Sequence, residues 1–150
     1  MAQRQLDDSE IEELLRRERI VRVAFAADDR LYLLPLGYVW FDGALHLMTT
    51  RGQKTAMASS NPHVAFQIDD SPSAGLLGWS SVTGEGEWEI ITDRTLQTTI
   101  GDALLDRFPE LREWAEAESA SKASANELLF ARIRPIRMTC RRFVHDHTER

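Results

Sequence analysis

Asp42-Gly43 is the tightest constraint in this chain. It stands between two apolar, strand-like runs, Leu31 to Phe41 and Ala44 to Thr50. An Asp-Gly pair in that setting closes a two-residue hairpin of type I′, which needs positive φ at both central residues. The two runs are therefore antiparallel neighbours, and the chain must build a sheet of hairpins. Pro35 narrows the choice further. It lies in the middle of the first run and lacks the N–H that a ladder needs. That strand must lie at an edge, carry a bulge, or face something other than strand.

The remaining elements follow from periodicity and punctuation. Ile20 to Ala26 reads as a strand, and Ala27-Asp28-Asp29-Arg30 turns the chain. His63 to Asp69 is another strand, with Val64, Phe66 and Ile68 on one face. Leu77 to Ile91 is a long strand in which Gly84 and Gly86 mark a bulge or tight bend. Leu128 to Phe143 supplies one or two last strands, interrupted at Pro135. Ser9 with Glu12 predicts a capped helix over 9–17. A short helix runs from Thr55 to Ser60 and is stopped by Asn61-Pro62. Asp93 caps a third, whose buried face carries Leu96, Ile100, Leu104 and Leu105. Pro109 opens a turn or helix through Trp114. Ser71 to Gly75 reads as a loop and 119–126 as a mobile one, and the tail 144–150 is expected to fray. The fold class is mainly β: a six-stranded antiparallel barrel with flanking helices, forming one domain over residues 1–150.

Charge and cysteine usage bound the function. A net charge of −6 argues against nucleic acid as a partner, because phosphate backbones need clustered cations. No apolar run approaches the roughly 20 residues that cross a bilayer, so no membrane is expected. The single Cys140 reads as a small core residue and suits a reducing compartment. A soluble, cytoplasmic protein is the expectation.

Thr49-Thr50-Arg51-Gly52-Gln53-Lys54 lies where a strand passes into a helix. Helix N-termini present unpaired N–H groups and a positive dipole end, and Arg or Lys beside them adds charge-assisted hydrogen bonds. The stretch suits a phosphate cradle. It suits equally a polar loop with two solvated cations, since Gly-x-Lys is too short to decide. No metal site and no dedicated catalytic set is apparent. His145 and His147 lack a third ligand, and His46 alternates with Leu45 and Leu47 as a strand-surface residue would. Glu85, Glu87 and Glu89 share one face of a strand and read as solvated. A cofactor carrying the chemistry itself would account for that lack.

Taken in order, the Leu33-Leu34-Pro35-Leu36 strand, the Phe41-Asp42-Gly43 turn, the Thr49–Lys54 junction, Asn61-Pro62-His63-Val64-Ala65-Phe66 and Trp79-Ser80-Ser81-Val82-Thr83-Gly84-Glu85-Gly86 form one pattern. It resembles the FMN-binding split-barrel proteins related to pyridoxamine 5′-phosphate oxidase, in the small branch that includes nitroimidazole-resistance proteins. The resemblance implies a homodimer with FMN at each subunit interface. It places Lys54 and Thr50 on the phosphate, with Arg51 as a third member. Leu34, Pro35 and Leu36 would lie against the isoalloxazine, Met48 and Thr49 would flank the ring, and Trp79 and Ser80 would approach it from the same or the partner subunit. It implies an FMN-dependent oxidoreductase acting on a small planar organic molecule, with a nicotinamide donor. A deazaflavin in place of FMN, or a non-catalytic flavin-binding or sensor module, are the alternatives. The Arg and His motif with which the true oxidases grip the substrate phosphate is not reproduced over Arg132 to Phe143, so oxidation of pyridoxamine 5′-phosphate is not expected.

Overall fold

The computed structural model describes residues 2–74, 78–120 and 128–144, with residues 115 and 118–120 described by backbone alone. In chain order the elements are β1 (Ala2–Gln5), α1 (Asp8–Arg17), β2 (Ile20–Ala27), β3 (Arg30–Gly37), β4 (Val39–Phe41) and β5 (Ala44–Thr50). There follow α2 (Gln53–Ser60), β6 (His63–Asp69), α3 (Ser71–Ala74), β7 (Ser80–Ile90), α4 (Arg94–Arg107), α5 (Glu110–Ala120) and β8 (Leu128–Val144).

Two turns with left-handed backbone begin the sheet. Asp42 and Gly43 take φ of 49° and 67°, as the hairpin expectation requires, and β4 pairs antiparallel with β5. Asp28 and Asp29 take φ of 51° and 60° and fold β3 back on β2 in the same way. The order across the sheet is β3-β2-β6-β7-β8-β5-β4, with β1 added to β8. The sheet curls until β3 comes up beside β5, which gives a barrel that is not closed by a ladder. Pro35 lies on β3, at the edge, where its missing N–H breaks no interior ladder.

Among the described residues the strands number eight, not the expected six. Tyr38 explains one of the two. Its N–H donates to the Arg19 carbonyl (3.1 Å) and its hydroxyl to the Leu15 carbonyl (2.7 Å), with the ring fully buried. That pull divides the expected single run Leu31–Phe41 into β3 and β4. The other is β1, whose sequence Ala-Gln-Arg-Gln carries no strand signal but pairs with Arg141–Val144. Conversely, the last run is one strand despite Pro135. The irregularity falls opposite Glu85 and Gly86: Glu85 pairs with Arg137 and Gly86 with Pro135, so Ile136 is passed over.

The first helix starts one residue earlier than expected, with a different cap. Asp7, not Ser9, accepts from the Glu10 N–H (2.8 Å), and the Glu10 carboxylate returns to the Asp7 N–H. Asp93 caps α4 as expected. Ser71–Ala74 is a helical turn rather than loop, held by Asp69 and Asp70. Of the loop expected over 119–126, residues 119 and 120 end α5, and of the tail expected over 144–150, Val144 ends β8; the rest of both lies outside the described residues.

Two apolar clusters fill the molecule. Val23, Phe25, Leu45, Leu47, Val64, Phe66, Val82, Trp88 and Ile133 fill the barrel, together with Cys140. On the outer face of β4 and β5, Ile100, Leu104 and Phe108 pack over Phe41, Met48 and Phe130. β5 is therefore covered on both faces, and His46, expected at the strand surface, is buried. No helix among the described residues is long and apolar enough to cross a membrane.

Candidate functional site

β5 delivers the Thr49–Lys54 junction at one end of the barrel, and α2 begins there. Gly52, the N-cap, has extended backbone and no side chain to occupy the first-turn amides. Thr55 braces the turn: its Oγ1 accepts from the Gly52 N–H and donates to the Gly52 carbonyl, both at 2.9 Å. The helix then has two faces. Gly52, Thr55, Ala56 and Ser59 share one, and with Arg51 they line a hollow of about 350 Å³ walled by Ile90 and Leu129. Lys54 lies on the opposite face with the buried Met57 and Ala58. Its ammonium is partly buried, and that burial pushes its pKa down.

The expected cradle is thus spread around a helix start rather than gathered in one pocket. Arg51 stands on the hollow side and Lys54 on the barrel side. Neither makes an ion pair among the described residues, whereas most other arginines do. Met48, Thr49 and Thr50 line a separate hollow of about 320 Å³ with Leu111, Trp114 and Leu128. Both hollows are lined by the end of the β5–β8 ladder, where Thr50 pairs with Leu128 and Thr49 with Leu129.

Leu34 and Leu36 turn inward against the barrel cluster, and Pro35 alternates outward with Leu31 and Leu33, which are 84% and 67% exposed. Trp79 and Ser80 are not brought to the cradle. They sit at the start of β7, whereas Ile90, which walls the Arg51 hollow, ends that eleven-residue strand, roughly 30 Å away at strand rise. Ser80 is buried and committed: its N–H donates to Asp70 (2.6 Å) and its hydroxyl accepts from Arg142 (2.9 Å). Trp79 stacks on Phe143 at 4.1 Å.

Two features of this region have no counterpart in the sequence reading. Trp114 overhangs the second hollow from α5 while remaining 40% exposed. His46 stacks on Phe41 at 3.7 Å with its Nδ1 buried and without a partner. Burial, reinforced by Arg132, pushes its pKa down to about 4. A solvent-exposed indole on a helix has no periodic signature. The burial of His46 depends on α4, which no strand alternation reveals.

Four of the five arginines of β8 are ion-paired, and Arg141 donates to the Gln3 side-chain oxygen (2.9 Å). Arg132 and Arg134 both reach Glu89 (2.8 and 3.1 Å), Arg137 reaches Glu85 (3.3 Å), and Arg142 reaches Glu10 (3.5 Å). These pairs hold Glu89 down to about 2. They form a charged face across β7 and β8.

A curled antiparallel half-barrel with peripheral helices and a cation-flanked strand-to-helix junction defines the split-barrel class. Several solved structures share it. A FAD-binding protein from Mesorhizobium loti aligns with a TM-score of 0.75 and 26% identity, over 95% of this chain and 99% of that one. A haem storage protein from Vibrio cholerae gives 0.73 and 16%, over 93% and 98%. A candidate 5-nitroimidazole antibiotic resistance protein from Bacteroides thetaiotaomicron gives 0.69 and 14%, over 94% and 89%. No curated protein matches the chain by sequence. The pyridoxamine 5′-phosphate oxidase family model matches residues 7–142, and the chain belongs to that family.

Proposed function

We propose that the chain is an FMN-dependent oxidoreductase that reduces a small planar organic molecule with electrons from a nicotinamide donor. The observation that carries this reading is the start of α2. Its first-turn amides are free of a side-chain cap, Arg51 stands on one side, and a half-buried Lys54 with no carboxylate partner among the described residues stands on the other. A partly desolvated ammonium with no counter-ion among the described residues favours an anion, and a phosphate dianion supplies one. The residues fit the phosphate end of a flavin mononucleotide, with Thr50 as a further donor. When bound, FMN supplies two-electron transfer between donor and acceptor. The chain's own groups grip the phosphate, flank the ring with Met48, Thr49 and the Leu34-Pro35-Leu36 backbone, and exclude water. The likeness to FAD-binding proteins from Mesorhizobium loti and Mycobacterium smegmatis supports a flavin ligand.

A second copy of the chain completes this reading. Leu31 and Leu33 leave an apolar edge on β3, and Trp79 and Ser80 reach a flavin at the cradle only from a partner. We therefore place FMN at the interface of a homodimer in the cytoplasm. Pyridoxamine 5′-phosphate is not the proposed substrate, because the Arg and His motif is missing and Arg132, Arg134, Arg137 and Arg142 of β8 are engaged with Glu89, Glu85 and Glu10.

The test is a fluorescence titration of FMN into wild type, Lys54→Ala and Arg51→Ala. Loss of one charge-assisted contact, about 1.5–3 kcal/mol, weakens affinity by roughly ten- to a hundredfold. Unchanged affinity in both variants refutes the cradle. The absorption spectrum of the protein as purified separates FMN from a deazaflavin, and light scattering at micromolar concentration checks the dimer.

A further inference from the structure

We propose that the hollow between α1, β4 and α4 is a second binding site, and that its ligand is a planar aromatic carboxylate carrying one negative charge. None of its lining residues belongs to the flavin cradle, and the proposal does not depend on that reading. The hollow measures about 560 Å³, within the range for small-molecule sites, about 300–1,000 Å³. Val39, Trp40 and Phe41 form its floor and Arg16 of α1 one wall; Thr99, Ala103, Asp106 and Arg107 of α4 form the other. The three bordering elements are described throughout.

The place of the hollow follows from the sheet. β4 ends the strand order, so its far edge has no strand beside it. Side chains alternate along a strand, so a hollow that touches three consecutive residues lies along that edge rather than over one face. Phe41 and Ala44 flank the two-residue turn and exchange both of their hydrogen bonds, which turns the N–H and C=O of Trp40 away from β5. Tyr38 points the same way and donates its N–H to the Arg19 carbonyl. Trp40 has no backbone partner on that edge among the described residues, so a ligand there meets a free donor and acceptor.

Two guanidiniums decide the charge. Arg107 gives one N–H to the Glu18 carbonyl at 3.3 Å, and its Nε is buried without a partner among the described residues. Arg16 meets Glu12 at 3.6 Å with both side chains exposed, a contact worth little. Glu12 is itself held by the Trp40 indole N–H (2.6 Å), which ties α1 to the floor of the hollow. A carboxylate between the helices therefore finds planar cationic donors on both walls. Asp106 stands exposed beside Arg107 and opposes a second negative charge, so a monoanion fits and a dianion does not. Thr99, Ala103, Asp106 and Arg107 are spaced to share one face of α4. Ala103 leaves room for a ring against Trp40 and Phe41. Thr99 already donates its hydroxyl to the Thr95 carbonyl (3.0 Å), so towards a ligand it accepts.

The experiment follows the four indole N–H signals of the ¹⁵N-labelled full-length protein by NMR, with the Trp40 signal assigned from Trp40→Phe. The probe is 2-naphthoate; 2-naphthamide is its neutral isostere and 2,6-naphthalenedicarboxylate its dianionic relative. The expected result is a saturable shift centred on the Trp40 signal, the same with and without FMN. The amide binds about tenfold more weakly, the equivalent of about 1.4 kcal/mol, and the dicarboxylate no more tightly than naphthoate. Arg107→Gln weakens naphthoate binding about tenfold and Arg16→Gln about threefold. Should Arg107→Gln fail to fold, the amide comparison and the exposed Arg16→Gln decide. No shift, a shift centred on Trp79, Trp88 or Trp114, equal affinity for the amide, or tighter binding of the dicarboxylate overturns the proposal. So does wild-type affinity in both arginine variants, or loss of the Trp40 shift when FMN is added, which gives the hollow to the flavin.

Discussion

Replacing Gly84 with alanine tests the packing of the barrel wall at its tightest point. A Cβ built at Gly84 falls 2.5 Å from Phe66 Cζ and 2.7 Å from the Arg137 carbonyl oxygen. The phenyl ring cannot move freely, because Phe66 is 2% exposed inside the barrel. The carbonyl cannot move without β8, which is laddered to β7 here and is held on its other side by β5 up to Ile133 and by β1 from Arg141. Overpacking of this kind costs about 1–3 kcal/mol. Alanine restricts the unfolded chain and returns about 0.4–1 kcal/mol, leaving a net loss of about 1–2 kcal/mol. For a chain of this length that lowers Tm by roughly 2–8 °C. Gly52→Ala is the control: nothing lies within 4 Å of its Cβ and its backbone is extended, so stability holds or rises slightly. Urea unfolding at one fixed protein concentration measures both. A Gly84→Ala protein as stable as wild type, with the same m value, refutes the claim that Phe66 and the β8 backbone leave no room.

Three further outcomes follow from the described contacts. His46 has a folded pKa of about 4, below its ordinary value near 6.5, so the unfolded chain takes up the proton more readily. The stability this contributes is complete above pH 6.5 and falls as pH drops towards 4, by on the order of 3 kcal/mol. His46→Phe should flatten that window when urea midpoints at pH 7 and pH 4.5 are compared. Asp7→Ala removes the cap of α1 and costs about 1 kcal/mol, whereas Ser9→Ala stays within about 0.5 kcal/mol; circular dichroism melts separate the two. Glu89→Gln breaks two pairs at a carboxylate that is 44% exposed, so it costs about 1 kcal/mol and the difference shrinks at high salt.

Where a single residue dictated backbone geometry, the sequence was sufficient. Asp42-Gly43, Pro35, Asp93 and the Gly84-Gly86 irregularity all took the places their chemistry requires. Where the outcome depended on a distant partner, it was not. Tyr38 breaks a strand because the Leu15 and Arg19 carbonyls both accept from it, and neither pairing leaves a local pattern. β1 is polar and exists because β8 is long enough to offer it an edge. His46 alternates like a surface residue and is buried by a helix fifty residues later. At the candidate site, the residue types at the strand-to-helix junction were legible, but their division around α2 was not. That division follows from helical geometry at Gly52, which sends Arg51 and Lys54 to opposite sides. Trp114 had no signal at all, since one exposed indole has no period.

β8 carries a consequence for how the protein is made. It pairs with β7 over most of its length, with β5 at its start and with β1 at its end, so three strands wait for one. A nascent chain that has emerged only as far as α5 holds β5 without its β8 partner and β7 with one open edge. Those open ladders are templates for neighbouring chains on the same message. Arrival of β8 occupies all three in one event, and the contacts it makes are among the most distant in sequence, which slows that event. A ribosome stalled before residue 128 should therefore yield a protease-sensitive, aggregation-prone chain, and one that has released residue 144 a resistant fold.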